Sequence, residues 1–258
     1  MISYEVKGEG NALVLLHGFI ESGKIWNRFA GELSAEFRVI VIDLPGHGNS
    51  EVLAEVHSME LFAEVVQKVL IHEGIGKAVM VGHSMGGYVA LEFAQRYPDI
   101  LKGVVLFHSQ AAPDNEEAKE NRRRTINIVK QNRAGFIRQF IPDLFDQQHV
   151  DQYKEDISML LEEASKMSPE GIVAAISGMK DRRGGLIFLM NTDKPVLFVI
   201  GKQDSRIPYN NVLAQAVIPA HSEVLILDGV GHMGYIEAPK VTLQAIRHFA
   251  LKCYESIA

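Results

Sequence analysis

The order of segments along the chain predicts an α/β architecture, a mostly parallel central sheet with helices on both of its faces. Three observations carry that prediction. Short, continuously apolar runs of the buried-strand type recur, and between them lie stretches whose apolar residues repeat at helical spacing. A glycine-rich turn, Gly82-His83-Ser84-Met85-Gly86-Gly87, joins one such run to one such helix. A more charged stretch without a convincing strand then interrupts the alternation from about residue 110 to 190.

Taken in order, Tyr4–Lys7 and Ala12–Leu16 flank Gly8-Glu9-Gly10-Asn11, which has the composition of a hairpin turn. Arg38–Ile42 is a continuous apolar strand. Met59–His72 carries Leu61, Phe62, Val65, Val66, Val69 and Leu70 at helical spacing and ends near Gly74 and Gly76. The run Ala78-Val79-Met80-Val81 leads into the glycine-rich turn. A helix follows from Tyr88 to Tyr97-Pro98, then the strand Gly103-Val104-Val105-Leu106-Phe107. Within the charged stretch, three apolar clusters at helical spacing stand out: Phe136 to Leu144, Ile157 to Ala164, and Ile172 to Met179. The alternation resumes with the strand at residues 195–200, a helix at 211–217, a strand at 223–227 and a closing helix at 241–254. The chain is expected to divide into 1–109 (first part of the core), 110–190 (a helical insertion) and 191–258 (second part of the core). The insertion is expected after the sixth strand, as a lid over the carboxyl edge of the sheet, where ligands of α/β folds bind.

Composition narrows the function classes. With 258 residues, of which 47% are hydrophobic and 22% charged, the chain has material for a large core. A formal net charge of −6 and no basic stripe argue against a nucleic-acid partner. The densest basic run, Arg122-Arg123-Arg124, lies among Glu116, Glu117, Glu120 and Lys130 and is expected to be a solvated helix face, with binding of an anionic partner as the lesser reading. Cys253 is the only cysteine, which excludes an internal disulfide and any cysteine-rich metal site. The first residues lack the layout of a signal peptide, and no apolar stretch approaches the ~20 residues of a membrane span. A cytoplasmic protein without a membrane partner is expected; oligomeric state is left open.

The glycine-rich turn carries the chemistry. A serine on a sharp strand-to-helix turn, with glycines two before and two after, matches a nucleophile elbow. The turn holds the serine in a strained backbone conformation that lifts Oγ above the sheet, and side chains at the flanking positions would collide with neighbouring elements. A serine hydroxyl is a weak nucleophile until a base takes its proton, and the base needs a third group to orient it. Asp204, in Gly201-Lys202-Gln203-Asp204, follows one buried strand, and His232, in Gly229-Val230-Gly231-His232, follows the last strand. Ser84, Asp204 and His232 therefore belong to one sheet edge. The competing reading of Asp204 is an ordinary turn residue before Ser205.

Four separated motifs in this order give the chain its resemblance: Leu15-Leu16-His17-Gly18-Phe19, Asp43-Leu44-Pro45-Gly46-His47-Gly48-Asn49-Ser50, the elbow at Gly82–Gly87, and the Asp204 and His232 loops. The chain resembles the α/β-hydrolase fold superfamily, in its serine esterase, lipase and enol-lactonase branch, from about residue 10 to 240. The resemblance implies Ser84 as nucleophile, His232 as general base and then acid, and Asp204 as the group orienting His232. It implies an oxyanion hole from the backbone N–H groups of Phe19 and Met85, whose side chains are then free to shape the pocket. Haloalkane dehalogenases and epoxide hydrolases resemble this fold but carry Asp at the elbow, so Ser84 argues against both.

The expected activity is hydrolysis of a carboxylic ester, or a related thioester or lactone, of small to medium size with a hydrophobic part. The substrate is the expected partner, and no cofactor is expected. Carbon–carbon bond hydrolases and acyltransferases use the same triad, and a non-catalytic or slow-turnover ligand receptor on this fold is the alternative from another class. His17 and His47 are expected to bond backbone in their loops, and His83 is expected to point away from Ser84. His108 and Met233 are candidates to line the pocket, His108 equally as a core or loop histidine. Met85, Met233, Met167, Met179 and Met190 read more readily as core filler than as a binding surface. The ten histidines show no ligand spacing with carboxylates, so no metal is expected.

Overall fold

In the computed structural model, which describes residues 1–255, seven strands form one sheet. They are β1 (Tyr4–Lys7), β2 (Ala12–Leu16), β3 (Arg38–Ile42), β4 (Ala78–His83), β5 (Leu101–Phe107), β6 (Val196–Gly201) and β7 (Ser222–Leu227), in the spatial order β1-β3-β2-β4-β5-β6-β7. All neighbouring pairs are parallel except β1 with β3. Strands β2 and β4 are buried at every position, as their unbroken apolar runs require of strands covered on both faces.

The helices between strands are α1 (Asn27–Leu33), α2 (Met59–His72) and α3 (Met85–Arg96). After β5 come α4 (Glu116–Phe140), α5 (Lys154–Ser165), α6 (Pro169–Lys180) and α7 (Leu186–Asn191). The chain closes with α8 (Tyr209–Ala216), α9 (Gly234–Glu237) and α10 (Pro239–Glu255). Ser58 caps α2 by accepting the Leu61 N–H, and Ser168 caps α6 by accepting that of Gly171. No helix among the described residues is long and apolar enough to cross a membrane.

Two expectations are corrected here. The first two strands do not form a hairpin: β1 runs antiparallel to β3, with Tyr4 opposite Ile42, while β2 uses both edges for parallel partners. The link between them crosses the chain entering β3, where a Cβ on Gly8 (φ 73°) would lie 2.3 Å from the Ser34 carbonyl oxygen. The Arg38 N–H donates to Asn11 O at 2.9 Å and holds that crossing. The helical segment also follows the fifth strand of the sheet, not the sixth, because only one edge strand precedes β2 among the described residues.

Helix α4 is bent at Asn132, whose φ of −151° and ψ of 71° leave the helical region. The Asn132 Oδ1 accepts the Gly135 N–H at 2.9 Å and caps the second half, which carries Phe136 and Phe140.

Candidate active site

Because β2, β4, β5, β6 and β7 are parallel, the loops at their carboxyl ends gather on one edge of the sheet. Glu21 follows β2, Ser84 follows β4, His108 follows β5, Asp204 follows β6 and His232 follows β7.

Ser84 has φ 51° and ψ −113°, a backbone conformation costing about 1–3 kcal/mol in a non-glycine residue. The surroundings hold it there. Its N–H donates to Phe107 O at 2.9 Å, and its carbonyl accepts the Gly87 N–H (2.9 Å) and the Ser109 hydroxyl (2.7 Å). A Cβ at Gly82 would lie 2.2 Å from Gly86 O, and one at Gly86 would lie 2.5 Å from Leu16 O, so both glycines permit backbone-to-backbone contact. Met85 is the first residue of α3, and an N–H at that position has no partner within the helix.

Asp204 is buried and fully engaged. Its Oδ1 accepts the N–H groups of Arg206 and Ile207 at 2.8 and 2.9 Å, and its Oδ2 accepts the His232 Nδ1–H at 2.7 Å. Burial alone would raise its pKa, but the imidazoles of His232 and His108 hold the carboxyl far below the usual carboxylate range. The His232 loop is fixed through its backbone: its N–H donates to Leu144 O at 2.7 Å, and Glu237 accepts from Gly231 and Met233.

Ser84 and His232 line one cavity of about 350 Å³, walled also by Phe19, Glu21, Phe136, Phe140 and Arg122. The Phe19 ring packs edge-on against Phe140, with centroids 5.7 Å apart, so this side chain shapes the pocket. The Met85 side chain is fully buried instead. His108 and Met233, candidates for the pocket, are not among its lining residues and take their other reading as buried residues. His108 lies behind Asp204, with Nδ1 3.3 Å from Oδ2, and burial pushes its pKa down to about 4 against the pull of that carboxylate. Met233 is core.

Glu21, which sequence reasoning missed, sits in the cavity wall with its side chain 4% exposed. Its Oε2 accepts the Gly18 N–H (2.6 Å) and His83 Nδ1–H (2.8 Å), and its Oε1 accepts the Tyr235 hydroxyl (3.0 Å). His83 also donates from Nε2 to the His232 carbonyl at 3.0 Å. Both partners of His83 are acceptors only, so the ring bonds both as an imidazolium. Burial works against that charge, yet Glu21 raises the His83 pKa; reciprocally, His83 outweighs burial and lowers that of Glu21. His83 therefore belongs to the site's framework. The available signal was Glu21 itself, a carboxylate in the loop after a buried parallel strand.

The remaining motifs bond backbone. His17 Nε2 accepts the Leu44 N–H at 2.9 Å, and His47 Nδ1–H donates to Pro45 O at 3.0 Å. The Asp43 carboxylate accepts the N–H groups of Gly23 and Asn49. Of the basic run, Arg123 and Arg124 are exposed as expected, while Arg122 is only partly exposed, turns inward to Asp114 and lines the cavity. His108, Asp204 and His232 also form the one group among the described residues compact enough to hold a metal ion. The 2.7 Å His232–Asp204 contact is a hydrogen bond, shorter than the roughly 3.3 Å that two donors on a tetrahedral ion keep.

The family described as the alpha/beta hydrolase fold matches residues 11–147, just over half of the chain. A thermophilic esterase from Thermogutta terrifontis, solved with malate bound, superimposes with a TM-score of 0.93 at 36% identity, covering 98% of this chain and 93% of that one. A pimeloyl-[acyl-carrier protein] methyl ester esterase from Aeromonas hydrophila is 28% identical over 96% of this chain and 98% of its own length. The enol-lactonase from Burkholderia xenovorans shares the fold, with a TM-score of 0.89 at 20% identity over 96% of this chain and 95% of that one.

Proposed function

This chain belongs to the α/β-hydrolase fold family, and from that premise we propose that it is a serine esterase acting through an acyl-enzyme on Ser84. The observation that carries the proposal is the 2.7 Å bond from His232 Nδ1–H to a buried, ionised Asp204, on an imidazole that shares a cavity with the strained Ser84. Asp204 fixes the tautomer in which His232 Nε2 is the free base. That nitrogen takes the Ser84 hydroxyl proton as Oγ attacks the ester carbonyl carbon. The oxyanion forms against the N–H groups of Met85 and Phe19, donors each worth about 3–4 kcal/mol in the transition state. As the C–O bond breaks, His232 gives its proton to the departing alcohol. It then takes one from water, whose oxygen attacks the acyl carbon, and returns it to Ser84 as the acid leaves.

Residues 110–190 act as a lid in this proposal, supported by the α4 and α6 side chains in the cavity wall and by the His232–Leu144 bond. The cavity volume and its phenylalanines favour a small to medium acyl group with an apolar part. A cytoplasmic location is part of the same proposal, supported by a lone, buried Cys253. Turnover of short p-nitrophenyl esters, thioesters and lactones by the wild type and Ser84→Ala tests the reading. Loss of at least about 10⁴-fold in the variant is expected; undiminished turnover refutes the nucleophile, and ligand binding without any turnover favours the receptor alternative.

A further inference from the structure

One face of α4 turns to the cavity, where Ala118, Asn121, Arg122 and Thr125 follow one another at the i, i+3, i+4, i+7 spacing of a single helical stripe. Arg122 is the charged member. Its Nε and one terminal nitrogen are tied to the Asp114 carboxylate, leaving the other terminal nitrogen with only the Met179 sulfur, at 3.7 Å. Asp114 is shared: Arg182, with its side chain 2% exposed, pairs with the same carboxylate. Among the described residues no second carboxylate lies within ion-pair distance of either guanidinium. Arg122, in the cavity wall, thus shares its one carboxylate with Arg182, whose guanidinium lies outside that wall, 4.0 Å from the Tyr88 ring.

The other charges at the cavity have their own partners, with the ionised Asp204 beside Arg206. Arg206 also lines the cavity, stacked 4.6 Å from the Phe140 ring, and its partner Asp143 is half-exposed and 3.6 Å away. The one carboxylate in the wall, Glu21, is already neutralised by His83. An uncompensated charge in a partly buried site is costly, and a ligand anion offsets that cost.

We propose that the cavity takes esters that carry a free carboxylate elsewhere in the molecule, and that Arg122 is the residue selecting them. The inference rests on the esterase proposal and names its substrate class. One guanidinium nitrogen without an oxygen partner matches a single carboxylate better than a phosphate, which brings nearly two negative charges. A guanidinium nitrogen with no oxygen partner is a charge-assisted donor awaiting one. If Arg122 served only to clamp α4 to Asp114, its loss would slow all esters alike.

The test compares monoethyl glutarate with ethyl valerate, esters of equal acyl length that differ in the terminal carboxylate. Wild-type kcat/KM is expected to favour the monoester of the diacid by about 10-fold or more. Arg122→Met is expected to collapse that ratio towards one, mainly through KM. An equal wild-type ratio, or a ratio that survives Arg122→Met, overturns the proposal. Binding of glutarate to the Ser84→Ala protein, followed by calorimetry, needs no turnover. Saturable binding, weakened about 10-fold when Arg122→Met is added, supports it; no binding overturns it. A protein that hydrolyses neither ester yet binds glutarate through Arg122 refutes the esterase and keeps the anion site.

Discussion

The sheet edge and the helical segment over it meet at one cavity but are built by different means. At the edge, position comes from backbone: Ser84 is held by Phe107 O, Asp204 by the amides of Arg206 and Ile207, and His232 by Leu144 O. The glycines there fit backbone against backbone with no space for a Cβ. In the helical segment, position comes from side chains on a helix face. Across the 25 residues of α4 only Val129 and Ile137 are buried, so its cavity-facing residues can change with little disturbance to packing. The difference separates two tasks. In the proposed esterase, bond chemistry, which tolerates errors well under an ångström, is anchored in the rigid core, whereas the choice of substrate sits on a surface free to vary.

The sharpest way to break this division is at the core. Asp204→Asn keeps the shape and the Oδ1 bonds to Arg206 and Ile207, but an amide in place of Oδ2 no longer selects the His232 tautomer. We expect kcat to fall about 10⁴-fold while the melting temperature moves little. A near-normal rate would mean that a group other than the Asp204 carboxylate orients the base.

The framework beneath the proposed triad should show its effect in stability as well as rate. Glu21→Gln breaks a buried pair, a change costing up to about 3–5 kcal/mol, and loosens the Gly18–Phe19 turn. The sign of its pH dependence follows from the two shifts. The lowered Glu21 pKa contributes stability present above its ordinary value of 4.5 and lost as pH falls through the folded value. The raised His83 pKa contributes stability fully present below 6.5 and lost as pH climbs through its folded value. The stability gap between wild type and Glu21→Gln, measured by urea unfolding, should therefore be widest between pH 4.5 and 6.5. A gap independent of pH would show that the pair is not ionised.

The same contrast explains what was legible in the sequence. The elbow could be read because close backbone approach demands glycine at Gly82 and Gly86, and the strands because double-sided burial demands unbroken apolar runs. The pairing of β1 could not, since turn composition at residues 8–11 does not tell which strand edge stands free. Nor could α1, a seven-residue helix without a side-chain cap. For His108 and Met233, a place beyond a strand end fixed the edge of the sheet but not the direction of the side chain. Arg122 read as solvated because Asp114, which draws it inward, lies eight positions away beyond a helix cap.

The smallest expected effect tests the helical side directly. Phe140 packs edge-on against the Phe19 ring, lies 5.2 Å from the Phe136 ring in a tilted pair and sits under the Arg206 guanidinium at 4.6 Å. Phe140→Leu removes the cation–π contact and the two ring pairs while keeping an apolar side chain, a loss of about 1.5–3 kcal/mol in stability. The Phe19 N–H, proposed as an oxyanion donor, belongs to a backbone turn anchored by the Gly18–Glu21 bond and not by Phe140. Turnover of p-nitrophenyl acetate, too small to need the aromatic wall, should therefore change by less than roughly 5-fold, about 1 kcal/mol in the barrier. KM for longer acyl chains should rise instead. A large fall in kcat on the acetate would mean that the helical segment helps position the reacting groups, and the division between the two regions would fail at that point.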